Sequence, residues 1–174
     1  MFRSLCLSNG RINAAKLALA SACLLLLCHL PGFGQETAAP HEEHARHAGF
    51  LIGSVYNLHE GKWMPGLGAE FEYVLPYWNR LFGVGIGAEM VLDEHKHYVI
   101  SLLLPIHPID KLTLFASPGV MFIEREEPGT RFAVHLGAEY EFDLEKYFLA
   151  PEFEVAFAGD DIHLMLGIHI GFGF

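Results

Sequence analysis

The final thirteen residues, Ile162-His-Leu-Met-Leu-Gly-Ile-His-Ile-Gly-Phe-Gly-Phe174, constrain what this chain can fold into more than any other segment. Every even position is bulky and apolar: Ile162, Leu164, Leu166, Ile168, Ile170, Phe172 and Phe174. The odd positions, Met165 apart, are histidine or glycine: His163, Gly167, His169, Gly171 and Gly173. A strict period of two predicts a β-strand with one apolar face and one small or polar face. Seven apolar residues on one face exceed a common globular strand and suit a tilted strand that crosses a bilayer.

The same alternation runs through the preceding hundred or so residues. It predicts strands at 47–58, 65–75, 81–92, 97–106, 112–123, 131–142, 147–158 and 162–174. Breaks at Pro76-Tyr-Trp-Asn-Arg80, Pro108-Ile-Asp-Lys111 and Asp143-Leu-Glu-Lys146 carry turn chemistry. One face collects Phe50, Ile52, Phe71, Ile86, Ile100, Val120, Phe132, Phe153 and similar residues. The other collects glycines and seven glutamates: Glu70, Glu72, Glu89, Glu139, Glu141, Glu152 and Glu154. Bulky apolar against small polar is the pattern of a transmembrane barrel whose polar residues fill a narrow lumen. A soluble eight-stranded barrel of lipocalin type would alternate too, with the apolar face inward. Its interior has little room for a Phe or Tyr from nearly every strand. Tyr73, Tyr77, Trp78, Phe142, Tyr147, Phe148, Phe172 and Phe174 are expected to form an aromatic girdle at one end.

An internal repeat supports the strand count. Gly66-Leu-Gly-Ala-Glu-Phe-Glu-Tyr73 recurs as His135-Leu-Gly-Ala-Glu-Tyr-Glu-Phe142, four strands later. Related segments are Gly85-Ile-Gly-Ala-Glu-Met90 and Leu149-Ala-Pro-Glu-Phe-Glu-Val155. Barrel hairpins reuse such patterns without common descent; duplication of a half-barrel is the alternative.

Residues 1–34 have the charged start, apolar run (Leu17–Leu30) and small-residue end of a cleaved secretory signal. Lipoprotein processing at Cys28 lacks the small residue usually expected before the cysteine. Cys6, Cys23 and Cys28 all lie in this segment, so no disulfide framework is expected in the exported chain. A polar lead-in follows at 35–46, and the barrel occupies 47–174. Beyond residue 34 the chain holds eight Lys and Arg against 21 Asp and Glu, a net charge of −13. That balance excludes a nucleic-acid footprint.

With its strand count, alternation, signal segment and final Phe174, the chain resembles the small eight-stranded outer-membrane barrels of Gram-negative bacteria, the OmpA-like transmembrane type. The resemblance covers 47–174 and rests on architecture, without a subfamily motif. It implies an all-β, antiparallel, up-and-down transmembrane barrel in the cell outer membrane, in contact with outer-membrane lipid and with both termini periplasmic. It also implies that Phe174 is the signal read by the barrel-assembly machinery. A monomer is expected. Small barrels of this kind include lipid A hydrolases and acyltransferases. Here the exported part has only Ser54, Ser101 and Ser117 as hydroxyl nucleophiles of that type, and no Ser/His spacing stands out, so no enzyme is expected. A passive pore is not expected either, since side chains can fill an eight-stranded interior.

The expected role is therefore structural, in envelope maintenance or in interaction, and the alternative is divalent-metal binding. Inward carboxylates without cations must be paired, protonated, hydrated or metal-bound. Pairing 142 with 147 across the 143–146 turn sets His135 opposite Glu154, and an in-phase pairing of the last two strands sets Glu152 opposite His169. His135, Glu152, Glu154 and His169 then form either a hydrogen-bonded plug or a zinc-like ligand set. His41, His44 and His47 form a second, tail-borne candidate. The short loops carry His59-Glu60, Asp93 to His97, Glu124 to Glu127 and Asp160-Asp161 beside His163, either as a solvated rim or as a weak cation-gathering one.

Overall fold

The computed structural model describes residues 45–94, 96–124, 129–144 and 146–174. The expected signal segment, most of the lead-in with His41 and His44, and rim residues His95, Glu126 and Glu127 lie outside the described residues. Strands are β1 (Arg46–Asn57), β2 (Lys62–Val74), β3 (Gly83–Val91), β4 (His97–Ile109), β5 (Leu112–Ile123), β6 (Gly129–Tyr140), β7 (Phe142–Leu144), β8 (Tyr147–Ala158) and β9 (Asp161–Gly173). β6 and β7 are one stave interrupted at Glu141, because both keep the same register against β8: Glu139 faces Glu152 and Phe142 faces Leu149. Successive staves pair antiparallel, and β9 returns to β1, so eight staves close without an edge. Closure satisfies the backbone groups internally, which hydrocarbon demands.

Differences from the expected strand bounds have local causes. β2 begins at Lys62, not 65, because Asn57 folds the preceding loop into a tight turn: its Oδ1 accepts from the His59 and Glu60 amides at 2.8 and 3.0 Å. β4 runs past Pro108 to Ile109 through a register shift between Ile106 and Ile109, a bulge that removes the need for a proline N–H. Asp110 and Lys111 then make the turn, Lys111 at φ 67°. Asp143 lies 3.2 Å from the Lys111 ammonium and holds it above the ordinary lysine range.

The pairings also define the tilt. From Gly49, partners run through Glu70, Gly87, Ser101, Gly119, Ala133 and Ala158 to Asp161, level with residue 59. One circuit thus climbs about ten residues, so strands are strongly inclined and residues from distant staves reach the same height.

Outward positions are apolar on all eight staves, with Phe50 (59% exposed), Trp63 (60%), Ile86 (64%), Ile100 (62%) and Phe132 (66%) among the most exposed. Leaving one such side chain in water forfeits roughly 1.5–3 kcal/mol. A band of them would outweigh the 5–15 kcal/mol or so that holds a domain together. The band belongs in lipid, and the fold is a transmembrane β-barrel. No helix among the described residues is long and apolar enough to cross a membrane, so the strands do the crossing. Inward apolar residues form two clusters, Leu51, Val55, Met64, Val91 and Met165 in one and Val99, Met121, Ile123, Ala133 and Ala158 in the other.

The inner wall tolerates little added volume. A Cβ on Gly85 would sit 2.2 Å from the Phe71 carbonyl oxygen, a backbone atom that cannot yield. At Gly129, on the rim, it would meet nothing within 4 Å. Gly85→Ala is expected to destabilise the refolded barrel by about 1–3 kcal/mol, and Gly129→Ala to leave it unchanged. Urea unfolding in lipid vesicles measures both; equal midpoints would contradict the register at Gly85.

Candidate functional site

Inward-facing alternate residues bring histidines and glutamates together at mid-barrel, and the strong tilt decides which ones meet. His169 on β9 is 2% exposed; its Nδ1 lies 2.8 Å from Glu139 Oε2 on β6, and its Nε2 lies 3.4 Å from Glu70 Oε1 on β2. His135 on β6 is equally buried, with Nδ1 2.9 Å from Glu154 Oε1 on β8 and 3.3 Å from Glu89 Oε2 on β3. Two groups result, Glu70/Glu139/His169 and Glu89/His135/Glu154, each with donor atoms within 4.8 Å of one another. Glu152, 6% exposed, stands opposite Glu139 across the β6–β8 ladder and shares the inward face of β8 with Glu154.

Small residues make the room. A Cβ on Gly49 would overlap His169 Nε2, and one on Gly171 would enter the Phe148 ring. That ring stands edge-on to His169, with centroids 5.3 Å apart. Phe148 therefore belongs to the lumen and not to the aromatic girdle the sequence reading placed it in. It is buried because 148 shares the parity of Glu152 and Glu154, whereas its exposed neighbour Tyr147 does not.

The sequence-derived ligand set is brought to one lumen but in a different pairing. His135 faces Ala156 across the ladder, Glu154 faces Gly137, and His169 faces Ala150. Both registers are offset by two residues from those expected, so the inward faces are right and the opposite partners are not. His135 still reaches Glu154 diagonally, while Glu152 does not hydrogen-bond His169; Glu139 takes that position. Glu70, Glu89 and Glu139 were legible as inward residues but not as members of these groups. What brings them in is contact across the lumen, which strand-by-strand pairing does not contain.

Two further polar groups flank the centre. Toward the terminal end, His107 Nε2 lies 2.8 Å from Glu72 Oε1, and its Nδ1 lies 3.1 Å from Thr113 Oγ1. Toward the loop end, His97 and His163 stack with centroids 6.2 Å apart; Asp93 lies 3.2 Å from His97, and Asn57 Nδ2 lies 3.2 Å from His163 Nε2. His97 and His163 therefore turn inward from the rim. The remaining rim charges pair on the surface, Lys96 with Glu124 at 3.9 Å and Arg131 with Asp161 at 2.7 Å. Arg131 shares the inward parity of His135 but lies at the rim, with its side chain exposed. Ser117 Oγ donates to Ser101 Oγ at 2.9 Å. Of the tail candidates, His47 is described: it begins β1, its ring 5.8 Å from Phe148.

No family model and no curated protein matches the chain. Solved structures match in shape. Neisserial surface protein A is 8% identical, with 74% of this chain and 96% of that one covered at a TM-score of 0.51. The N-terminal β-barrel domain of Pseudomonas aeruginosa OprF is 16% identical, with 75% and 98% covered at 0.50. A de novo designed transmembrane β-barrel is 12% identical, with 76% and 99% covered at 0.53. At such identities the likeness is one of fold. The chain has the fold of the small eight-stranded outer-membrane β-barrels.

Proposed function

We propose that this chain is a non-enzymatic, non-conducting barrel of the outer membrane, with a structural, envelope-maintenance or interaction role. The observation that carries this reading is the filled lumen. His–Glu contacts occupy the middle, His107 with Glu72 and Thr113 the terminal end, and two apolar clusters with His97 and His163 the loop end. Side chains packed across an eight-stave interior leave no continuous water path. Acyl-transfer chemistry finds no support in the serine contacts: Ser101 and Ser117 engage each other, while His107 is held by Glu72 and Thr113.

The exported form begins after a signal cleaved near residue 34, and the mature barrel is a monomer surrounded by outer-membrane lipid. Phe174 is 55% exposed and lies 6.3 Å, ring to ring, from Phe71, where assembly machinery can reach it. The short loops at the far end suit a compact rim more than a large docking surface.

Three outcomes test this reading. Purified barrel in planar bilayers is expected to give no sustained conductance; a stable open channel would refute the filled lumen. In metal-free buffer, His135→Leu leaves Glu89 and Glu154 facing each other unpaired, and is expected to cost about 3–5 kcal/mol, with His135→Leu/Glu154→Leu recovering much of the loss. Denaturant unfolding in vesicles measures both, and a double variant no better than the single would contradict a plug held by pairing. Phe174→Ser is expected to reduce the heat-modifiable outer-membrane form in cells while export continues. Unchanged assembly would remove Phe174 as the recognition element.

A further inference from the structure

The mid-lumen groups present a charge problem that ion pairing does not resolve. Five carboxylates (Glu70, Glu89, Glu139, Glu152 and Glu154) surround two imidazoles. No lysine or arginine is among the buried described residues. A histidine nitrogen carries at most one proton, yet His135 Nδ1 stands 2.9 and 3.3 Å from two different carboxylates. One hydrogen bond accounts for one of them. A cation placed between the three donors accounts for both.

An independent observation lies in the second nitrogens. His169 Nε2 is buried and completes no hydrogen bond; His135 Nε2 is likewise unpaired, but in that ring it is Nδ1 that faces Glu154 and Glu89. A buried ring nitrogen without a partner calls for an explanation. For His169 the direction is telling: Nε2 faces Glu70 Oε1 at 3.4 Å, too poorly aligned to bond. Adjacent donors around a metal bonded at about 2.1 Å stand roughly 3.0–3.4 Å apart, the spacing of the His169 Nε2–Glu70 and His135 Nδ1–Glu89 edges, while Glu139, 2.8 Å from Nδ1, holds the His169 ring with Nε2 turned to Glu70.

We infer that the lumen binds divalent first-row transition-metal ions at Glu70/Glu139/His169 and Glu89/His135/Glu154, with Glu152 beside both groups, opposite Glu139 on the ladder and two residues from Glu154 on the inward face of β8. The donor chemistry selects the class. Imidazole nitrogen mixed with carboxylate oxygen suits zinc, manganese, iron or cobalt, whereas calcium takes oxygen alone and copper(I) prefers sulfur. Two histidines with four or more glutamates is the donor inventory of carboxylate-bridged two-metal centres in helical bundles, here displayed from five staves. This assignment relocates the ligand set expected from sequence, replacing one His2Glu2 patch by two groups of one histidine and two glutamates.

The test uses the mature chain refolded metal-free in detergent and loaded with Co2+ or Zn2+, followed by gel filtration, metal analysis and visible spectroscopy of the cobalt form. Up to two ions per barrel are expected to be retained, with cobalt ligand-field bands that zinc abolishes. His169→Ala and His135→Ala are each expected to remove one ion, and Glu152→Gln to weaken both by about tenfold or more. His41→Ala/His44→Ala/His47→Ala is expected to keep both. Heat-modifiable migration reports folding of each variant. Where an alanine variant fails to fold, Glu139→Gln and Glu89→Gln, which preserve volume, take its place. Folded wild-type barrel that retains no metal overturns the inference. So does retention unaffected by every lumen substitution, or retention lost with the tail histidines.

Discussion

The interior of an eight-stave barrel is about as wide as the side chains that fill it, and every other feature of this molecule answers to that limit. An inward residue must be very small or must meet a partner from another stave, since an unsatisfied polar group there costs several kcal/mol by rough estimate. Gly49 and Gly171 are small so that His169 and Phe148 can be large. Ser101 and Ser117 sit on adjacent staves and satisfy one another. The outer face meets the opposite demand, since lipid accepts bulk and rejects polarity. The period of two that separates these faces is therefore enforced from both sides, and it survives along all eight staves.

Within that limit the internal repeat has a geometric consequence. Glu70 and Glu139 occupy equivalent places in the two copies of Leu-Gly-Ala-Glu, on β2 and β6, four staves apart and hence across the barrel from each other. Both carboxylates point at His169, one at each ring nitrogen. A repeat placed half a circuit apart creates a convergent pair, which a third stave then completes. The adjoining group draws Glu89 from the shorter related segment on β3 and Glu154 from the one on β8. The glutamates that looked like a scattered inner-face preference are thus four versions of one segment, aimed at a common axis.

Alternation made the staves and their inward faces legible before any coordinates, because parity alone decides which side of a closed sheet a residue occupies. Phe148 shows how far that rule reaches: its parity already placed it inside, and grouping it with girdle aromatics by position near a strand end ignored the rule. Register was less legible. Alternation does not fix turn lengths: Asn57 shortens one loop and a bulge lengthens β4. Each of the two pairings next to β8 moved by one inward step, which kept His135, Glu152, Glu154 and His169 in the lumen and changed their opposite partners. The groups around His135 and His169 depend on the stagger summed over the whole circuit, a quantity no single hairpin contains.

Stagger also gives the lumen a direction. The carboxylate and imidazole groups lie from the middle toward the terminal end, where Glu72, His107, Thr113 and Glu141 continue the polar wall. Toward the loop end Val55, Met64, Val91 and Met165, with Val99, Met121, Ile123, Ala133 and Ala158, share the lumen with the stacked His97 and His163, and His97 stands opposite Val91 and Ile123. The central carboxylates and imidazoles thus lie between His107, Glu72 and Thr113 on the terminal side and a mixed layer of apolar side chains, His97 and His163 on the loop side.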